Sequence, residues 1–443
     1  MQAKFTQGSI YRHINVMTWS GTIGLIALYL VDLVDMYFLS LLGQIEINAA
    51  IGYAGSILFF TLSLGVGLSI GCGALLAQAV GKGDKAMAKR QITHSFLAIL
   101  AITIPTMVIL LLCKGQILDW LGASGAAKDL AIDYLTIILL SMPVMTIAMA
   151  CSGVLRALGE AKSAMNLSLI AAAVNAVLDP IFIFALGWEI KGAAVATVLA
   201  RLAMAGYGLW IVFRHHQLVS KVEPNHLNRD MGGYFSIAFP AILTNLSTPI
   251  GLMYVTYVMA GFGDAAVAGQ AIVGRLQPVV FAGLFALSGV VGPIAAQNLG
   301  ALQFGRVFET FYKSVFFILL YCAVASALLF LATPYLITAF KIDGLTADIV
   351  RWFCYGFSLI FVFNGITFVT NALFNNLRAA TYATQFNFGK ATLGTIPFAY
   401  FGAAWGGPLG VFWGTLIGAA IVAALGLWVC ELHIRKLQKK AAI

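Results

Sequence analysis

The chain has 443 residues, 61% hydrophobic and 10% charged, with a mean hydropathy of +0.93. Soluble domains carry about 25% charged residues, so a soluble globular protein is excluded and a polytopic membrane protein is indicated. The net charge of +9 suggests a nucleic-acid partner only until its position along the chain is examined.

A polar segment, residues 1–15, leads straight into a full-length apolar span. No short apolar region with a small-residue cleavage site precedes it, so the first span is expected to be retained. A helical span needs roughly 20 apolar residues. Twelve are predicted, at about 14–41, 47–78, 92–113, 129–155, 162–187, 192–214, 232–261, 267–298, 308–332, 348–376, 382–404 and 408–432. All are read as helices, because open strands leave backbone groups unsatisfied in lipid. The longest polar stretch, Arg214 to Asp230, is too short to fold alone.

The first span, Trp19 to Leu42, carries Asp32 and Asp35 among apolar neighbours at one-turn spacing (Leu28, Val31, Leu39). A carboxylate at membrane depth is costly and is read first as part of an ion or substrate pathway. The fifth span adds Asn175 and Asp179, one turn apart and so on one face. Pro180 follows directly, which frees backbone carbonyls in the preceding turn.

The loops orient the chain. One side holds eighteen of the 26 Lys and Arg, including Lys4, Arg12, Lys82, Lys85, Lys89 and Arg90; the other side holds Lys114, Lys128, Lys191, Lys341 and Arg351. The positive-inside rule puts both termini in the cytoplasm, and an odd number of spans would spoil the asymmetry. The basic charge is therefore an orientation signal and not a nucleic-acid footprint. Arg201, Arg275 and Lys390 fall inside spans, where structural pairing or snorkelling is the favoured reading. The six cysteines are scattered, without CxxC, and are read as small hydrophobes.

The sequence also repeats. Gly71–Gly81 matches Val290–Gly300 at an offset of 219, with Ala77-Gln78 on Ala296-Gln297 and Gly81 on Gly300; Leu155 and Gly192 fall on Leu373 and Gly410 at an offset of 218. The expected fold is all-α, two pseudo-symmetric six-helix bundles related by an axis along the membrane normal. The division is an N-lobe at 1–217, a cytoplasmic linker at 218–230 and a C-lobe at 231–443.

With twelve spans, a 6+6 repeat, the G-x-x-x-A-Q-x-x-G element closing spans 2 and 8, and L-R-A-L-G-E-A-K at Leu155 to Lys162, the chain resembles the multidrug and toxic compound extrusion (MATE) family. The resemblance implies a V-shaped pair of lobes. It also implies export of bulky, mostly cationic lipophilic compounds, driven by H+ or Na+ rather than ATP. No Walker-type motif is present. The pattern is similar to the DinF-type branch, whose ion site lies in the N-lobe. Asp35 matches its span-1 aspartate, Asn175 and Asp179 its span-5 pair, Thr197 its span-6 threonine and Tyr134 its span-4 tyrosine. Where some relatives carry a proline in the first span, this chain has Ser20 flanked by Gly21 and Gly24, and paired glycines also permit a kink.

Cation coupling is thus assigned to Asp35, Asp179, Asn175, Thr197, Tyr134 and Asp32. Two ionised carboxylates in a poorly hydrated pocket repel, so a shared proton is expected. The oxygens of Asp35, Asn175, Asp179 and Thr197 also form a candidate Na+ cage, since hard cations take oxygen ligands. Asp32 is as readily a hydrogen-bonded structural residue as a second proton site. Asn245, Gln270, Gln277 and Asn371 are candidates for lining a substrate cavity, against interhelical hydrogen bonding as their commoner fate.

The leading reading is a multidrug antiporter of a bacterial inner membrane, with H+ as coupling ion and Na+ second. No cofactor, resident metal or nucleic-acid partner is expected; the partners are small-molecule drugs and lipid, and the expected state is a monomer. The nearest alternative is a flippase for lipid-linked sugars, which needs a strongly cationic cavity. A membrane-embedded enzyme needs a nucleophile–base pair or metal cluster at depth, and a channel fits two lobes with a buried titratable site less well.

Overall fold

The computed structural model describes residues 3–40 and 45–441. The last residue of the expected first span, 41, and the final two of the expected C-lobe, 442 and 443, lie outside them. Every regular element among the described residues is helical. The helices are α1 (Ile10–Ser40), α2 (Ile45–Gly81), α3 (Lys85–Trp120), α4 (Gly125–Leu140), α5 (Met142–Ala157), α6 (Ala161–Pro180), α7 (Glu189–Trp210) and α8 (Pro224–Ala260). The second half adds α9 (Asp264–Val280), α10 (Ala282–Gly300), α11 (Phe304–Phe340), α12 (Gly344–Tyr355), α13 (Ile360–Asn376), α14 (Ala380–Ala391) and α15 (Ile396–Ala441).

Helix ends follow local chemistry. Gly83 takes a φ of +74° just past α2, and Asp84 then caps α3 by accepting from the Met87 N–H at 2.9 Å. Pro143, near the start of α5, removes a backbone donor where α4 and α5 meet at a 49° bend.

Among the described residues, ten helical stretches are each long and apolar enough to cross a membrane, and the bent α4–α5 pair is an eleventh. The stretch Ala380–Ala441 holds two spans, because α15 breaks at Gly406 and Gly407. Gly407 has φ +58°, a left-handed value that favours glycine, and Pro408 follows. Counted this way, the structure has the twelve spans expected from hydropathy.

The helices group into two compact units at boundaries the sequence does not reveal. Unit 1 is Ile23–Ile242 with the extreme N-terminus up to Lys4; unit 2 is Phe5–Thr22 with Leu243–Ile443. The expected division at 218–230 therefore differs from the structure at two places. Residues 224–230 are already helical, forming the start of α8. The first half of α8 belongs to unit 1, and the first half of α1 belongs to unit 2.

The reason is specific anchoring. In unit 1, the buried Tyr234 donates its hydroxyl to the Leu68 carbonyl at 2.8 Å. Asp230 accepts from Arg90 Nε at 2.9 Å and bonds His94 Nδ1 at 2.8 Å. Gly71 leaves room for Ala238 and Tyr234. In unit 2, Gln297 Oε1 accepts from the Phe5 N–H at 3.0 Å, and Arg306 donates to the carbonyls of Phe5 and Gly8 at 2.8 and 2.9 Å. Trp19 packs on Phe317 and Tyr321. The glutamine of the repeated A-Q motif thus holds the root of α1.

The repeat is visible in the packing. Within unit 1, α2 packs on α5 and α6 on α7; within unit 2, α10 packs on α13 and α14 on α15. The repeat-matched glycines Gly192 and Gly410 both sit at close crossings. A Cβ on Gly192 would lie 2.7 Å from the Phe182 backbone, and one on Gly410 would overlap the Gly402 carbonyl oxygen.

Candidate functional site

The candidate ion site lies in unit 1, where α1 crosses α6. Gly24 sets the approach: a Cβ there would lie 3.1 Å from Ser168 Cβ, so α1 rests directly on α6. Further along, Asn175 Nδ2 donates to Asp35 Oδ2 at 2.8 Å. Asp179 follows Asn175 by one turn, so the same face of α6 carries both. Asp179 is 0% exposed and Asn175 6%.

Proline 180 has the effect its position implies. It gives no N–H to the Ala176 carbonyl, and the chain continues as a π-helical turn, Ile181–Ala185. Phe184 from that turn meets Phe38 of α1 edge-on, ring centroids 5.7 Å apart. This places an aromatic pair one turn beyond Asp35.

Four buried oxygens in this cluster have no hydrogen-bond donor among the described residues: Asp35 Oδ1, Asn175 Oδ1 and both carboxyl oxygens of Asp179. The carboxyls of Asp35 and Asp179 lie within hydrogen-bonding reach of each other. Two acceptors form that contact only with a proton between them. An unpaired buried acceptor costs about 1–3 kcal/mol, and more when charged. Such a set of oxygens can take a shared proton, or a hard cation among them.

The other expected site residues divide. Tyr134 on α4 is half-buried and lies in the electrostatic field of Asp35, Asp32, Asp179 and Arg201. Thr197 on α7 donates its hydroxyl to the Ala193 carbonyl at 2.9 Å, so only its lone pairs face outward. Asp32 is exposed, one turn from the pocket, with Arg201 and Asp35 as its charged neighbours. Arg201 bonds Ser141 Oγ at 2.8 Å and the Ile138 carbonyl at 3.4 Å, pinning the α4–α5 bend beside the acids. That is the structural pairing expected of it.

The residues expected to line a substrate cavity fall in unit 2. Gln270 and Gln277, two turns apart on α9, are half-exposed, and Asn245 on α8 is half-buried. Asn371 is only 6% exposed and donates to Asn387 Oδ1 at 3.0 Å. Asn387 in turn donates to the Thr244 carbonyl at 3.2 Å, so Asn371 belongs to an interhelical network. Lys390, read from sequence as a structural lysine, donates to Asn364 Oδ1 at 2.7 Å.

Comparison with known proteins identifies the fold. The MatE family model matches residues 22–181 and 240–401. The chain is 28% identical over 314 residues to the FAD transporter of Shewanella oneidensis, covering 69% of each protein. It is 24% identical over 428 residues to the multidrug export protein MepA of Staphylococcus haemolyticus, covering 96% of this chain and 94% of that one. A solved structure described as the outward-facing conformation of a multidrug resistance MATE family transporter of the MOP superfamily superposes at a TM-score of 0.93. It shares 21% identity and covers 99% of this chain and 98% of that one. A MATE crystal structure in complex with MaD3S superposes at 0.92, with 21% identity and 99% coverage of both. The two matched segments take in most of both halves of the repeat, so the chain belongs to the MatE family and is a membrane transporter rather than an enzyme.

Proposed function

We propose that this chain is a secondary multidrug antiporter. It exports lipophilic cations in exchange for H+, with Na+ as the second candidate ion. The observation that carries this reading is the cluster of donor-less buried oxygens at Asp35, Asn175 and Asp179. A proton between the two carboxyls lets α1 pack on α6. Its loss leaves two like charges side by side in a poorly hydrated pocket, and that repulsion favours a different seating of α1. The four-oxygen set is also suited to a hard cation, which is why Na+ stays in the proposal. An ion site in unit 1 is also what the resemblance to the DinF-type pattern implies. The Lys and Arg asymmetry of the loops supports a bacterial inner membrane with both termini cytoplasmic.

The test is expression in an efflux-deficient bacterium with ethidium and norfloxacin as cargo. Asp35→Asn is expected to abolish pH-driven efflux while the protein still reaches the membrane. Full pH-driven efflux by that variant would sink the reading. A pH jump compared with a Na+ jump in everted vesicles identifies the ion.

A second cargo class is favoured by one observation. Among the residues inside the expected spans of unit 2 are Lys390 and Arg275, whereas its acids sit at span edges or beyond them. FAD or a similarly anionic aromatic compound, the cargo named for the Shewanella oneidensis relative, suits that charge.

A further inference from the structure

Lys390 lies in the last turn of α14, midway along the eleventh span, where the helix stops at Ala391 and restarts at Ile396. Its ammonium has three donors. One goes to Asn364 Oδ1 at 2.7 Å; the other two have no protein acceptor among the described residues. The Nζ also stands 5.7 Å from the centroid of the Phe368 ring, and Phe368 packs against Phe285 with centroids 5.2 Å apart. Lys390, Asn364, Phe368 and Phe285 are all half-buried, so none is sealed in the core.

No carboxylate answers this charge. The acids of unit 2 are Asp264, Glu309, Asp343, Asp348 and Glu431. Asp348 pairs with Arg351 and Glu431 with Arg435, and among the described residues none pairs with Lys390. A lone cation at membrane depth is costly and marks a site by default. Its position at a helix C-terminus is a small favourable term, and a neutral amide in its place would bond Asn364 equally well. Nearby, Asn371 Oδ1 is buried without a donor among the described residues.

We propose that Lys390, with Asn364 holding it and the Phe285–Phe368 pair beside it, is a subsite for the anionic end of an aromatic cargo. The ammonium takes the carboxylate or phosphate oxygens through its two free donors, and the rings take the flat apolar part. This deepens the second cargo reading above and rests on it. It assigns recognition of anionic groups to unit 2, apart from the carboxylates of unit 1.

The test is equilibrium binding to the full-length protein in nanodiscs without any ion gradient, using matched probes. Riboflavin and riboflavin 5′-phosphate differ by a phosphate; norfloxacin and its methyl ester differ in a carboxylate. The wild type is expected to bind the anionic member of at least one pair about tenfold more tightly, the scale of one charge-assisted hydrogen bond. The pair that shows the preference identifies the group. Lys390→Met is expected to erase the preference and Lys390→Arg to keep most of it. Asn364→Asp, which neutralises the ammonium in place, is expected to reproduce the methionine result and covers the case in which Lys390→Met fails to fold. Equal affinity within both pairs for the wild type, or an equal loss for both members in the variants, overturns the proposal. Asp35→Asn should leave the preference intact, so a failure of the antiport reading is distinguishable from a failure of this one.

Discussion

Unit 1 and unit 2 repeat one another in helix order and in packing, yet at membrane depth they carry opposite charge. In unit 1, α1 and α6 bring Asp35 and Asn175 together, with Asp179 one turn further along α6, and the broken end of α6 follows a proline. In unit 2, the corresponding broken span places Lys390 at the end of α14, with Asn364 and two phenylalanines around it. Close crossings such as those at Gly192 and Gly410 survive duplication because backbone contact leaves no room for a side chain. Polar positions next to a helix break are freer to change, since an interrupted helix tolerates either sign. The comparison teaches that the repeat preserves the scaffold and not the chemistry.

The sharpest way to break the comparison is to neutralise one charge in each unit. Asp35→Asn or Asp179→Asn is expected to abolish gradient-driven ethidium efflux, whereas Lys390→Met keeps it; everted vesicles provide the measurement. If both units responded alike, the division of labour would be wrong. Next comes the anchor of α8. Arg90 and Asp230 form a mostly buried pair, 16% and 5% exposed, and His94 shares the carboxylate. Asp230→Asn is expected to destabilise unit 1 by about 3 kcal/mol, the cost of breaking a buried pair, read as a drop in thermal stability in detergent. Gly192→Ala and Gly410→Ala sharpen the scaffold half of the argument. Each is expected to cost about 1–3 kcal/mol through overpacking, and a neutral result at either would show that the crossing there relaxes. The smallest effect belongs to Lys4→Met. Its 2.6 Å bond to Glu160 joins partners 43% and 28% exposed, so a change below about 1 kcal/mol is expected.

Much of this was legible in the sequence, for physical reasons. Span number and helical class follow from lipid, which demands long apolar segments with internally paired backbones. Asp35, Asn175 and Asp179 were legible because acids at membrane depth are rare and a spacing of four fixes a common face. The exchange of half-helices was not, since hydropathy reads α1 and α8 as unbroken and says nothing about which neighbours each half touches. The stretch expected to be a linker hid Asp230, whose polarity reads as solvent exposure until Arg90 and His94 are placed beside it. Thr197 was expected from its position to be an oxygen ligand, and what the sequence does not show is that its hydroxyl proton goes to the Ala193 carbonyl. Lys390 and Asn364 were each visible, on different spans; only folding makes them a pair.

The rooting of α1 in unit 2 and of the first half of α8 in unit 1 has a consequence for how such a chain arose. Severed between α7 and α8, neither fragment owns a whole unit: each lacks the half-helix that the other contributes. An ancestral single-length gene product with this arrangement would have been complete only as an interlocked pair trading arms, the geometry of a domain-swapped dimer. Fragments cut between α7 and α8 are therefore expected to need co-expression to fold, since each unit draws a half-helix from the other fragment.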